Sequence, residues 1–360
     1  MGAAGSPRRM RIVVTGATGN VGTALLRALA ADERVREIVG VARRLPDWQN
    51  PRTRWVRADV AADALEPHFA GADAVVHLAW LIQPSRDEAE LERVNLTGSR
   101  RVFEAAAQAG AGALVYASSV GTYSAGPKDG RVVESWPTDG IPTSFYARHK
   151  AAAERALDAV EARHPGLRVV RLRPALIFQR SAAQEIRRLF AGPLLPSPLL
   201  RPNLLPVLPV TDRLVLQVVH ADDVAQAYRL AATDPGAHGA YNVAAEPPLG
   251  PAELGRLLGA RPVRVPARVL RTAANLTWKA HLQPTPPGWL DMGLGVPLMD
   301  VTRARGELGW EPRHDAGSTL LELLDGLRRR DGGVTPPLEA GAGGPLRVRE
   351  LRTGVGRVNP

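Results

Sequence analysis

Cysteine is absent from all 360 residues, which excludes disulfides, thiolate metal sites and cysteine nucleophiles. Nothing therefore points to an oxidising compartment. Long apolar runs are missing too. The most apolar stretch, LFAGPLLPSPLLRPNLLPVLPV, is interrupted by prolines and by Arg201, which a lipid-spanning helix disfavours. The opening MGAAGSPRRM formally fits a myristoylation pattern but has no apolar centre like that of a signal peptide, so residues 1–9 read as a disordered leader. A cytoplasmic protein with no membrane partner is expected. Lysine is scarce: Lys128, Lys150 and Lys279 are the only ones, and arginine fills the other basic positions.

The formal net charge is +10, but Asp and Glu are spread along the chain and no basic run is interleaved with aromatics. Much of the excess lies near the ends, so no nucleic-acid partner is expected. Hydrophobic residues make up 45% of the chain, enough to bury a sizeable core. From Arg11, short valine-rich runs alternate with alanine-rich helical stretches: RIVVTG, NVGTALLRALAA, EIVGVA, AVVHLA, RRVFEAAAQAG, ALVYAS, AAAERALDAVEA, LRVVRLRP. Continuous apolar strands separated by helices of that length indicate a parallel sheet covered on both faces, a doubly wound α/β fold.

After Phe178 the rhythm stops, and it returns in VVHADDVAQAYRLAA and GAYNVAA. The expected layout is a main domain over 10–180 and 219–245, and a smaller, discontinuous substrate part over 181–218 and 246–330. Residues 331–360 lack periodicity and read as a flexible basic tail.

VVTGATGNVG places Gly16, Thr18, Gly19, Asn20, Val21 and Gly22 directly after the first strand and at the start of a helix. Glycines there let backbone N–H groups and the helix N-terminus approach a pyrophosphate. The second strand delivers Ala42, Arg43 and Arg44 where an NAD site normally has a carboxylate for the ribose hydroxyls. Guanidinium groups at Arg43 and Arg44 can hold a 2′-phosphate, which favours NADP with NAD as the alternative. The other reading is that both are solvated loop residues. In RADV, Asp59 can accept from the adenine amino group and Val60 can pack on the ring. VVHLAW passes Leu78 and Ala79 beneath the cofactor, while His77 reads as a structural histidine.

LVYASSVGTY ends a strand with Ser118 and Ser119, at the edge where ligands bind in this architecture. Downstream, Pro142, Thr143 and Ser144 signal a helix start, which puts Tyr146 in the first turn and Lys150 on the same face. A free phenol titrates near pH 10, so a nearby ammonium, together with the positive nicotinamide of an oxidised cofactor, is expected to lower it and let tyrosine exchange a proton with an alcohol or carbonyl. Ser119 can orient that oxygen. A lysine in an otherwise arginine-filled chain hints that an ammonium is specifically required.

In this order, the glycine loop, Asp59-Val60, His77-Leu78-Ala79, Asn95, Ser118-Ser119, Tyr146 with Lys150, RLRPALIF, VVHADDVA and RGELGWEP resemble the extended short-chain dehydrogenase/reductases. The likeness is to their NAD-dependent epimerase/dehydratase branch, over residues 10–328. The resemblance implies a Rossmann sheet, a catalytic triad of Ser119, Tyr146 and Lys150, and Pro174 and Ile177 near the nicotinamide. Asn95 would be a supporting residue or a helix cap. Dehydrating members carry Thr-Asp-Glu where this chain has Ser119-Val120-Gly121, so dehydration is disfavoured.

The leading expectation is an NAD(P)-dependent oxidoreductase acting on a secondary alcohol or carbonyl. The alternatives are a nucleotide-sugar epimerase and a non-catalytic dinucleotide sensor. The partner expected is a small-molecule substrate, and a homodimer is compatible with the fold. Arg187, Arg188, Arg201 and Arg213 are candidates to hold a diphosphate, whereas the Leu- and Pro-rich region around them would equally line an apolar pocket.

Overall fold

The strand MRIVVT (β1, Met10–Thr15) has Ile12, Val13 and Val14 wholly shielded from solvent, which requires cover on both faces of its sheet. In the computed structural model, which describes residues 9–83, 85–191 and 206–341, β1 is an interior strand of a seven-stranded sheet whose neighbouring strands all pair in parallel. On one side lie β2 (Val35–Ala42) and β3 (Thr53–Arg57). On the other lie β4 (Ala74–His77), β5 (Ala113–Ala117), and the strands Arg168–Pro174 and Gly239–Val243. The chain thus runs outward from β1 to β3, then crosses back to β4. That reversal leaves a crevice at the carboxyl ends of β1 and β4.

Helix α1 (Asn20–Ala30) and the helix Ala221–Thr233 bury Leu25, Leu26, Leu29, Val224 and Tyr228 in the core on one face. Ser99–Gln108 and the long helix Phe145–Arg163 bury Val102, Phe103, Leu157 and Val160 in the core on the other. Each such side chain contributes roughly 1.5–3 kcal/mol relative to exposure.

Asp223, buried at the start of Ala221–Thr233, accepts the backbone N–H groups of Arg313 and His314 at 3.0 Å each, and its carbonyl accepts Trp310 Nε1 at 2.7 Å. This single residue ties VVHADDVA to RGELGWEP. Outside the main sheet, Leu176–Phe178 pairs with Val218–His220, and Val207–Val210 pairs with Arg261–Arg264.

Residues 331–341, assigned to the tail by composition, are packed down. Thr335 and Leu338 are buried, and Thr335 Oγ1 donates to the Thr18 carbonyl at 2.7 Å. A single leucine anchors a stretch whose glycines and prolines hide it from periodicity. The remaining tail from 342 and residues 1–8 of the leader lie outside the described residues. Among those described, no helix is long and apolar enough to cross a membrane.

Candidate active site

The glycine loop is shaped by lack of room. Gly16 has φ +72°, and a Cβ there would lie 2.6 Å from the Ala79 nitrogen. A Cβ on Gly22 would collide with the Gly16 carbonyl. Loop, α1 and the end of β4 are therefore in backbone contact. The first turn of α1 has neither a capping side chain nor an acid. Bare N–H groups and the positive end of the helix face the crevice, an arrangement that fits a pyrophosphate. Asn20 fastens the loop across the cleft, donating to the Ile177 carbonyl at 3.3 Å and accepting from Gln179 Nε2 at 2.7 Å.

One cleft is lined by Gly16, Thr18, Gly19, Asn20, Val21, Gly22, Arg43, Arg44, Asp59, Val60, Leu78, Ala79, Ser119, Tyr146, Lys150, Pro174 and Ile177. The expected dinucleotide-binding residues and the Ser119, Tyr146 and Lys150 set thus line the same cavity. Arg43 and Arg44 are exposed at its outer end. Asp59 Oδ1 accepts the Ala61 N–H at 2.9 Å.

At the inner end, the long helix starts at Phe145 with Ser144 as its cap, so Tyr146 occupies the first turn. Ser119 Oγ accepts the Gly121 N–H at 3.0 Å and caps the one-turn helix Val120–Thr122. Lys150 Nζ donates to the Ala117 carbonyl at 2.6 Å and sits over the Trp80 ring, 3.5 Å from its centroid. Burial pushes the Tyr146 phenol up to about 12, and the Ser119 hydroxyl beside it pulls the other way. Within the protein itself desolvation outweighs the hydroxyl. Burial also drives Lys150 well below the usual lysine range, opposed by Glu154.

Glu154, one turn beyond Lys150, was not singled out by the sequence. Its carboxylate accepts the Ser118 hydroxyl and forms a buried ion pair with Arg173, whose Nη2 lies 2.6 Å away. His77 is buried between Thr15 Oγ1 at 2.7 Å and Ser99 Oγ at 3.0 Å, and burial lowers it to about 3, a neutral structural ring. Asn95 lies within the helical segment Arg93–Gly98 and so caps nothing. Instead its amide clamps Leu81, accepting the N–H at 2.7 Å and donating to the carbonyl at 2.8 Å. That clamp fixes the loop carrying Trp80.

Of the candidate diphosphate ligands, Arg188 lines the cleft while donating to the Glu339 carbonyl at 3.1 Å. Arg213 donates to the carbonyls of Leu294 and Gly126 at 3.0 and 2.9 Å. Arg187 is buried, and Arg201 lies outside the described residues. Sequence reasoning also missed Trp80, Glu185, Phe190 and Trp289, all lining the cleft. They come from segments far apart in the chain, and no local pattern joins them.

Sheet order and the glycine cradle at the switch point define a Rossmann-type α/β protein. Residues 12–244 match the NAD dependent epimerase/dehydratase family, and the chain belongs to that family. It is 30% identical over 325 residues to the uncharacterized protein Rv2047c of Mycobacterium tuberculosis, covering 90% of this chain and 31% of that protein. The chain thus spans about a third of the length of that curated relative. UDP-glucose 4-epimerase from Thermotoga maritima, solved with UDP-glucose, is similar with a TM-score of 0.66 at 21% identity, over 89% of this chain and 99% of that one. A short-chain dehydrogenase/reductase superfamily protein from Agrobacterium tumefaciens with bound NAD gives 0.65 at 23% identity, over 89% and 98%. At these identities the likeness is one of fold.

Proposed function

We propose that this chain is an NADP-linked oxidoreductase acting on a small secondary alcohol or carbonyl compound in the cytoplasm, with Tyr146 as acid and base. The observation that carries the reading is the meeting of Ser119, Tyr146 and Lys150 at the inner end of the cleft that begins at the glycine loop. The loop, Asp59, Val60, Leu78 and Ala79 would hold a dinucleotide, whose nicotinamide donates or accepts a hydride when bound. Tyr146 gives its phenolic proton to the substrate oxygen in reduction and takes one from the hydroxyl in oxidation. The Tyr146 phenol, raised further by burial, carries its proton at neutral pH, as reduction requires. Ser119 orients the oxygen. The Lys150 side chain places positive charge beside the phenol when protonated.

Preference for NADP is supported by Arg43 and Arg44, which follow β2 directly in place of an acid. A nucleotide-sugar epimerase is the second reading, favoured by the family and by the Thermotoga maritima neighbour. Purified protein, offered NADPH or NADH with carbonyl compounds and UDP-sugars, separates the two. Stoichiometric oxidation of NADPH supports the oxidoreductase. Interconversion of a UDP-sugar without net cofactor consumption replaces it with the epimerase.

A further inference from the structure

We infer that the substrate carries its carbonyl or hydroxyl on an apolar, ring-sized body, and that it is not a nucleotide sugar. This rests on the oxidoreductase reading above and adds the chemical class of its substrate.

The wall around the proposed proton carrier is aromatic. Trp289 lies 4.8 Å from Tyr146, centroid to centroid, and 4.8 Å from Phe190, whose ring stands at 90° to it. Trp80 meets Tyr146 edge-on at 6.0 Å. Leu189 and Met292 line the same cavity. Ring pairs at these separations are worth about 0.5–1.5 kcal/mol beyond their area, and faces left toward a cavity offer the same to a ring that enters it.

Gln83 and Arg188, which also line this part of the cleft, serve the scaffold. Gln83 Nε2 donates to the Leu189 carbonyl at 2.8 Å and to the Pro284 carbonyl at 3.3 Å, and its Oε1 accepts the Ser85 N–H at 2.8 Å. Arg188 donates to the main-chain carbonyls of Pro337 and Glu339. Arg213 is engaged by two more carbonyls and does not line the cleft. A diphosphate needs several charge-assisted donors turned toward it. The substrate end, among the described residues, presents ring faces, aliphatic groups and the carboxyl of Glu185, which is no donor for a diphosphate.

The test is calorimetric titration of the full-length chain, saturated with NADP⁺, using 2-tetralone as the apolar ring ketone and UDP-glucose as the nucleotide sugar. Turnover is followed in parallel, of 2-tetralone with NADPH in place of NADP⁺ and of UDP-glucose with NADP⁺. Binding of 2-tetralone at least tenfold tighter than UDP-glucose is expected. Trp289→Ala should weaken 2-tetralone at least tenfold while NADP⁺ affinity stays within twofold; Phe190→Ala provides a second variant should the first fail to fold. Tighter binding of UDP-glucose, or 2-tetralone affinity unmoved in both variants, overturns the inference. If UDP-glucose is converted in a Tyr146-dependent manner, the substrate class falls and the chemistry stands. If 2-tetralone binds as expected but Tyr146→Phe turns it over like the parent, the chemistry falls and the substrate class stands.

Discussion

Lys150 and Trp80 are in face-to-charge contact: the Lys150 Nζ lies 3.5 Å from the centroid of the Trp80 ring. The indole comes from the loop after β4 and the lysine from the long helix, so the contact bridges the two sides of the cleft. An indole face is worth about 0.5–2 kcal/mol to an ammonium, in place of part of the water that burial removes.

Replacing Trp80 by leucine should therefore push the Lys150 pKa further down, in the direction burial already drives it. Lysine is charged below its pKa, so the charge will be lost at lower pH in the variant. The alkaline fall in NADPH affinity is expected to move to lower pH by about one unit. Fluorescence titration of NADPH from pH 6 to 10 checks this.

Glu154→Ala leaves the Arg173 guanidinium buried without its counter-ion and the Ser118 hydroxyl without its acceptor. Removing one partner of such a pair costs about 3–5 kcal/mol. Urea unfolding should show a loss of that size, and an apolar double replacement, Glu154→Leu with Arg173→Met, should recover most of it. The loss should also appear as reduced activity, because Glu154 holds the strand end that leads into Ser119.

Glu185 lines the cleft half-buried, and burial pushes its carboxyl up from 4.5 to about 7. Between those two values the folded protein holds a proton that the unfolded chain has released. Stability therefore falls as pH rises through that window. Glu185→Gln removes the penalty. It should leave the melting temperature unchanged near pH 4 and raise it at pH 8, by an amount equivalent to about 1 kcal/mol once screening in an open cleft is allowed for. Scanning calorimetry at the two pH values checks the sign.

Gly16→Ala places a methyl group against the Ala79 backbone at a left-handed φ of +72°. The loop must move or β4 must yield. Dinucleotide affinity is expected to fall at least 30-fold, about 2 kcal/mol, in NADPH titrations of a variant whose far-UV circular dichroism is unchanged.

These effects mark where sequence is informative. The glycine loop and the Ser119, Tyr146 and Lys150 set were legible because each depends on a local pattern: glycines at a strand-to-helix turn, serines at a strand end, two residues one helical turn apart. The pairing of Trp80 with Lys150 and of Trp289 with Tyr146 depends on loops converging from distant parts of the chain. Asn95 shows the same limit. Its surroundings in VNLTGS suit a cap, but tertiary packing sets it inside a helical turn as the clamp on Leu81. The upward push of burial on the Tyr146 phenol was hidden for a related reason, since the sequence displays the neighbouring lysine and conceals the depth of burial.

The proton role of Tyr146 is tested most directly by Tyr146→Phe, assayed for carbonyl reduction with NADPH at neutral pH. A loss of 10²–10⁴-fold in kcat, with NADPH affinity and melting temperature close to those of the parent, is the predicted result. A variant that reduces the same substrate within threefold of the parent rate would contradict it.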